Sequence, residues 1–192
     1  MNFIFDLGNV LFTFKPEEFI QKLFPDRPLQ IELAKAIFLR DEWLQIDLGE
    51  LTFNEASEII SKKNPAQKAD IQHVFEHICE MLVPMTETVV LLPKLKESGH
   101  KLYYLSNIGF DFRDYLTSKH EFFDLFDGGI FSCDVNIVKP DTRIYRVLLD
   151  KYNLSAQDCI FFDDIKENVK AASDIGIRGI HFTDIRCIKS LL

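Results

Sequence analysis

Met1-Asn2-Phe3-Ile4-Phe5-Asp6-Leu7-Gly8-Asn9-Val10-Leu11-Phe12 opens the chain and decides how the rest is read. Phe3 to Phe5 run unbroken into an aspartate, and the apolar texture resumes only after a Gly-Asn pair. A short run without polar alternation describes a strand covered on both faces and closed by a turn. The same texture returns at Leu102–Leu105, Gly129–Ser132, Cys159–Phe162 and Gly179–Phe182. Helical patterns separate these runs, over Phe112–Ser118, Arg143–Lys151 and Glu167–Ile175, the last stopped by Gly176. A helix over Val89–Glu97 precedes them and ends at Gly99, a natural left-handed C-cap. This alternation predicts an α/β fold, a parallel sheet with right-handed crossovers that the opening strand joins.

From Pro16 to Val83 the periodicity is helical throughout. Phe19, Ile20, Leu23 and Phe24 repeat at helical spacing, as do Leu33, Ala34, Ile37 and Phe38, and then Ile71, Val74, Phe75 and Ile78. Pro25, Pro28, Gly49 and Asn64-Pro65 break the pattern. Thr52-Phe53-Asn54-Glu55 reads as an N-cap region, with a Thr/Glu capping box as one option, opening a helix through Ile60. The expected organisation is therefore a core from residues 1–14 and 85–192, and a helical insert over 15–84. Hinges near Phe14-Lys15 and Val83-Pro84 would let the insert close over a site and exclude water.

Composition narrows the function. The 192 residues are 47% apolar, enough for a core without disulfide or metal staples. Thirty acidic against 22 basic side chains give a net charge of −8, which argues against nucleic acid or an anionic membrane as partner. The 18 phenylalanines speak for packing. Cys79, Cys133, Cys159 and Cys187 form no CxxC pair and read as reduced, mostly buried thiols. Asp6 interrupts the N-terminal apolar stretch too early for a signal peptide, and no apolar run reaches the roughly 20 residues of a membrane span. The expectation is a soluble, cytoplasmic protein.

In parallel sheets functional groups gather at the C-terminal ends of the strands. Asp6 follows the first strand; Ser106 and Asn107 follow the second; Cys133 and Asp134 follow the third, with Lys139-Pro140 close behind; Asp163 and Asp164 follow the fourth. A lone Asp after a strand is usually a turn residue or cap, and Lys-Pro alone is an ordinary helix start. Two adjacent carboxylates repel and prefer a cation nearby. Three carboxylates, a hydroxyl and a lysine on one rim could bind Mg²⁺ through oxygen and hold a phosphate. An Asp against that metal could attack phosphorus.

Phe5-Asp6-Leu7-Gly8-Asn9-Val10-Leu11, Leu105-Ser106-Asn107, Val138-Lys139-Pro140-Asp141 and Phe161-Phe162-Asp163-Asp164 resemble the four ordered motifs of the haloacid dehalogenase-like hydrolase superfamily. The resemblance spans nearly the whole chain. It implies a Rossmann-like sheet with helices on both faces, and makes the helical block similar to a C1-type cap. The first and last motifs are most similar to sugar-phosphatase members, bacterial α-D-glucose-1-phosphate phosphatase among them. The implied activity is Mg²⁺-dependent hydrolysis of a small phosphorylated metabolite. Asp6 would accept the phosphoryl group, Ser106 would bond a phosphoryl oxygen with Asn107 assisting, and Lys139 would balance charge. Asp6, the Gly8 carbonyl and Asp164 would hold the metal, with Asp163 orienting Asp164 or binding through water.

One departure stands out. Many members carry a second Asp two positions after the nucleophile as general acid and base, and here that position is Gly8. General acid-base help is worth about 10²–10⁴ in rate, so a good leaving group, a metal-bound water or a cap residue must compensate. Dehalogenases also lack that Asp and work without metal, using a basic residue for which Arg40 is the nearest candidate. A binding or regulatory module with feeble turnover is a further alternative; a phospho-acceptor receiver would place its acidic pair near the first strand instead. In the insert, Arg40, Asp41, Glu42, Trp43, Gln45 and Asp47 form a polar-aromatic cluster. Trp43 there either stacks on a sugar ring or merely packs between helices. The loop from Ile108 to Arg113 is placed to face the ligand. His73 and His77 share a helix face without a third ligand and read as solvated; His181 reads as a satisfied rim histidine, and Lys62-Lys63 as surface charge.

Overall fold

The structure, a computed structural model, describes residues 1–28 and 30–189. Five strands form one parallel sheet: β1 (Asn2–Phe5), β2 (Lys101–Ser106), β3 (Gly128–Phe131), β4 (Cys159–Asp163) and β5 (Arg178–His181), in the order β3-β2-β1-β4-β5. β1 is central. Phe5 pairs with Tyr104 on one side and Phe162 on the other, and Asp6 N–H donates to the Phe162 carbonyl at 2.9 Å. The residue after β1 is thus fixed against β4, whose own final residue is Asp163.

Twelve α-helices among the described residues surround or interrupt the sheet. α1 (Pro16–Leu23), α2 (Ile31–Phe38), α3 (Asp41–Asp47), α4 (Phe53–Lys63) and α5 (Lys68–His77) lie between β1 and β2. α6 (Thr86–Val89) and α7 (Leu92–Glu97) lead into β2, and α8 (Phe110–Lys119) follows it. α9 (Ser132–Val135) and α10 (Thr142–Tyr152) follow β3, α11 (Lys166–Asp174) follows β4, and α12 (Arg186–Lys189) follows β5. Where one helix is expected over Val89–Glu97 there are two, because Pro93, in the first turn of α7, has no N–H to continue the hydrogen bonds of α6. The short α3 was not expected; its polar residues hid about two turns of helix. The capping box at Thr52 is present, Thr52 N–H donating to Glu55 Oε2 at 2.8 Å and Glu55 N–H to Thr52 Oγ1 at 3.3 Å.

Strand alternation sorts side chains onto two faces. Ile4, Tyr103, Leu105 and Phe161 pack with Ile144, Tyr145 and Leu148 of α10 and Ala171 and Ala172 of α11. Phe3, Phe5 and Phe162 point the other way, with the Phe5 and Phe162 rings stacked at 5.1 Å. That second core runs without a break into Ile20, Leu33, Ile37, Ile60 and Ile71, so the helical block shares its apolar interior with the sheet. The two connecting segments run side by side: Thr13 N–H donates to the Val83 carbonyl at 2.8 Å and Met85 N–H to the Leu11 carbonyl at 2.7 Å. None of the four cysteines is in a disulfide; Cys133 and Cys159 are buried and Cys79 and Cys187 half-buried. No helix among the described residues is long and apolar enough to cross a membrane.

Candidate active site

The β1, β2 and β4 ends and the loop after β3 converge on one cavity of about 240 Å³. Lys139 lies at its base. Its ammonium is almost fully buried, 2.8 Å from Asp6 Oδ1 and 2.7 Å from Asp163 Oδ2. The lysine sits in a loop rather than on a strand, and Asn107 supplies the missing ladder: its Oδ1 accepts from Lys139 N–H at 2.7 Å and its Nδ2 donates to the Lys139 carbonyl at 3.0 Å. The Asn107 side chain is therefore committed to holding the loop.

Asp6 Oδ1 also accepts the Leu7 N–H at 2.7 Å, while Oδ2 makes no hydrogen bond among the described residues. Burial pushes the Asp6 carboxyl up to about 6; Lys139 opposes the shift, and Asp163 and Asp164 add to it. For Lys139, burial works against the charge, but Asp6 and Asp163 outweigh it and its pKa is raised. Asp164 is likewise raised, chiefly by burial. Its Oδ2 accepts from Asn9 Nδ2 at 2.9 Å, and Asn9 Oδ1 in turn accepts the Phe14 N–H. Asn9 adopts a left-handed conformation, φ +51°, which Asn tolerates better than most residues.

Asp163 is placed differently from Asp164. It is fully buried and does not line the cavity. Its Oδ1 accepts from Ile165 N–H at 2.8 Å and Asn168 Nδ2 at 3.0 Å; its Oδ2 accepts from Lys139 and, at 3.0 Å, from Asn168 Nδ2. With both oxygens engaged it serves as the anchor of Lys139. Ser106 is buried at the end of β2, faces the cavity, and its hydroxyl makes no hydrogen bond among the described residues.

Carboxylate oxygens of Asp6, Asp163 and Asp164 lie within 4.8 Å of one another. One lysine cannot balance three carboxylates, and their mutual repulsion adds to the burial that raises Asp6 and Asp164. An oxygen-rich, electron-excess site is what a hard divalent cation requires, so the residues fit Mg²⁺.

Asp6, Gly8, Ser106, Asn107, Lys139, Asp164 and Trp43 all line the cavity. So do Ile108 and Phe112 of the expected ligand-facing loop. Trp43 packs on Phe38 at 4.6 Å and Phe14 at 6.1 Å and also forms part of the cavity wall. Arg40 does not reach the cavity. It is exposed at the N-cap of α3, over a separate surface hollow with Glu42 and Lys63, because the helix start turns it away from the sheet. Lys62 and Lys63 are exposed, and Lys63 also pairs with the buried Glu42. His73 and His77 do find a neighbouring Glu76, but on an exposed face of α5 where each pairs with a glutamate three residues on. His181 Nε2 lies 2.9 Å from the Asp164 carbonyl.

Three contributors were given no role in the sequence, and a fourth, Asp47, was named only as part of the polar-aromatic cluster. Asn9 and Asn168 orient the two aspartates; a buried asparagine beside Ala171 and Ala172 on an apolar helix face is the signal that could have found the second. Ser132 Oγ accepts from Ile108 N–H at 2.8 Å and donates to the Asp47 carbonyl at 2.5 Å, tying α3 to the sheet rim. Asp47 itself lines the cavity.

The match to known proteins follows the geometry. The haloacid dehalogenase-like hydrolase family model covers residues 1–176, and the chain belongs to that family of hydrolases. Among its relatives is the sesquiterpene phosphatase astK of Aspergillus oryzae, 30% identical over 181 residues, spanning 94% of this chain and 89% of the relative. The drimenol cyclase drtB of Aspergillus calidoustus is 28% identical over 182 residues, and this chain spans 33% of its length. In fold, the chain is similar to the Bacteroides thetaiotaomicron enzyme BT-2542 in complex with magnesium and inorganic phosphate, at TM-score 0.73 and 24% identity over 92% of this chain and 90% of that one.

Proposed function

We propose that the protein is a Mg²⁺-dependent phosphatase that transfers the phosphoryl group of a small organic monoester to Asp6 and then to water. The observation that carries this reading is Lys139 held between Asp6 Oδ1 and Asp163 Oδ2, at 2.8 and 2.7 Å, beneath a cavity that Asp6 lines. An anionic carboxylate attacks an anionic phosphate only when fixed positive charge suppresses the repulsion. Lys139 provides one such charge at no cost of reorganisation, because Asn107 and Asp163 already hold it. Asp6, Asp164 and the Gly8 carbonyl are the residues that would hold Mg²⁺, which would neutralise phosphoryl charge when bound. Ser106 Oγ, unengaged at the rim, donates to a phosphoryl oxygen.

The walls point to an apolar substrate body. Beyond the charged base the cavity is bounded by Phe12, Phe14, Trp43, Leu82, Ile108 and Phe112. A sugar ring would leave most of its hydroxyls facing carbon, each desolvated without a partner. An alkyl or isoprenoid alcohol loses nothing there, and the astK relative is by name a sesquiterpene phosphatase. The dehalogenase alternative lacks its basic group, since Lys139 is the cavity's cation and Arg40 lies outside.

The test is phosphate release from a panel of alkyl, prenyl and hexose monophosphates, with Mg²⁺ and with EDTA. The expected result is metal-dependent release, faster for the apolar esters and lost in Asp6→Asn. Release that survives EDTA or Asp6→Asn, or none from any ester, would overturn the reading.

A further inference from the structure

Gly8 occupies the position from which a proton would otherwise be delivered, and the cavity offers another carboxyl on a different element. We propose that Asp47, at the C-terminal end of α3, is the proton-transfer group of this site, giving its proton to the departing alcohol and recovering one from the attacking water. The inference rests on the phosphatase reading above and adds the group that reading leaves out.

Three observations support it. Asp47 lines the same cavity as Asp6, Lys139 and Ser106, yet its carboxylate makes no hydrogen bond or ion pair among the described residues, unlike Asp163 and Asp164. It is therefore the carboxyl in the wall not already committed to a cation or an amide. Its backbone is also fixed. Ser132 Oγ donates to the Asp47 carbonyl at 2.5 Å, and Asn136 Nδ2 donates to the Leu48 carbonyl at 2.7 Å. Gly49, at φ +73°, and Gly109 let α3 approach closely: a Cβ on Gly49 would meet the Cys133 carbonyl at 2.8 Å, and one on Gly109 the Ile46 side chain at 2.5 Å. So much close packing at one turn holds the side chain against the rim, as proton transfer requires.

The charge environment suits the role. Burial pushes the Asp47 carboxyl up to about 7, with Lys139 opposing and Asp6 adding. Asp164 lines the same cavity; Asp134 of α9 is occupied by Arg113 at 2.5 Å, and Glu42 of α3 by Lys63. A group that holds its proton near neutrality can both give and take one.

The step balances without a further reactant. As an Asp6 oxygen bonds to phosphorus, the ester P–O bond breaks and its electron pair takes the Asp47 proton, releasing the alcohol. Asp47, now a carboxylate, removes a proton from water as the water oxygen attacks the phosphorus on Asp6. Phosphate leaves, and Asp6 carboxylate and protonated Asp47 are restored.

The experiment compares kcat/KM for octyl phosphate, whose alcohol needs a proton to leave, with para-nitrophenyl phosphate, whose phenolate does not. Asp47→Asn should lower the octyl value by about 10²–10⁴ and the aryl value by less than about tenfold. A Cβ at Gly8 would meet only Phe14 Cβ at an ordinary 3.7 Å, so Gly8→Asp is sterically allowed and should restore octyl turnover in the Asp47→Asn background. Should the variant fold poorly, wild-type pH profiles decide: the octyl value should fall above about pH 7, as the acid loses its proton, and the aryl profile should lack that limb. Equal losses on both esters, no loss on either, or superimposable profiles would overturn the assignment of Asp47 while an active wild type silenced by Asp6→Asn leaves the phosphatase reading standing. A wild type inert toward both esters would overturn both.

Discussion

Replacing Lys139 with methionine tests the electrostatics of the site through stability alone. The wild-type ammonium is about 1% exposed and contacts Asp6 and Asp163, themselves about 9% and 0% exposed at the side chain. Lys139→Met preserves most of the stem and removes the charge, leaving two buried carboxylates uncompensated. Breaking a buried pair from one side costs about 3–5 kcal/mol. For a chain of this length that lowers Tm by about 6–20 °C, at about 2–4 °C per kcal/mol. The sign of the pH dependence follows from Asp6. The folded chain keeps the Asp6 proton up to about pH 6 and the unfolded chain to its ordinary 3.8, so wild-type stability falls as pH rises through that window. Without Lys139, which holds the Asp6 value down, the folded value moves higher still. The penalty of the substitution should therefore be small at pH 5 and full at pH 8. Urea unfolding in EDTA at both values measures it. A variant within about 1 kcal/mol of wild type at pH 8, or a penalty that grows on acidification, would refute Lys139 as the counter-ion of Asp6.

Three further outcomes follow from the same geometry. Mg²⁺ at about 100 times its Kd should stabilise the wild type by about 2.7 kcal/mol in thermal melts, and Asp164→Asn should abolish most of that gain. Asn107→Ala frees the Lys139 loop by removing two hydrogen bonds of 2.7 and 3.0 Å; it should cost about 1–3 kcal/mol in urea unfolding and lower kcat more than KM. Trp43→Ala removes an aromatic wall while leaving the charged base intact, so it should raise KM for apolar esters with little change for inorganic phosphate inhibition, as steady-state kinetics will show.

The sheet was legible because β1 to β4 carry apolar runs buried within the sheet, a pattern that no amphipathic helix or exposed loop imitates, while the edge strand β5 is only half-buried. Strand ends then located Asp6, Ser106 and Asp164, since a polar residue directly after such a run must sit on the rim. What escaped was whatever depends on distance in space. Asp163 and Asp164 are adjacent in sequence, but successive residues at a strand end point in different directions, and so one faces inward onto Lys139 while the other borders the cavity. Asn107 was expected to assist at the phosphate by its backbone or side chain, and the side chain is engaged by a loop 32 residues away, which leaves the backbone for that role. Asp47 lay within a polar-aromatic cluster whose helix is only seven residues long, too short for periodicity to show which of its side chains face the sheet.

The most direct trial of the central claim is a crystal structure of the protein with Mg²⁺ and beryllium fluoride, a mimic of a phosphoryl group on a carboxylate. The account predicts beryllium bonded to an Asp6 oxygen, its fluorides beside Lys139 and Ser106, and the metal between Asp6 and Asp164. Beryllium fluoride bound to another side chain, or a metal seated away from Asp164, would contradict it.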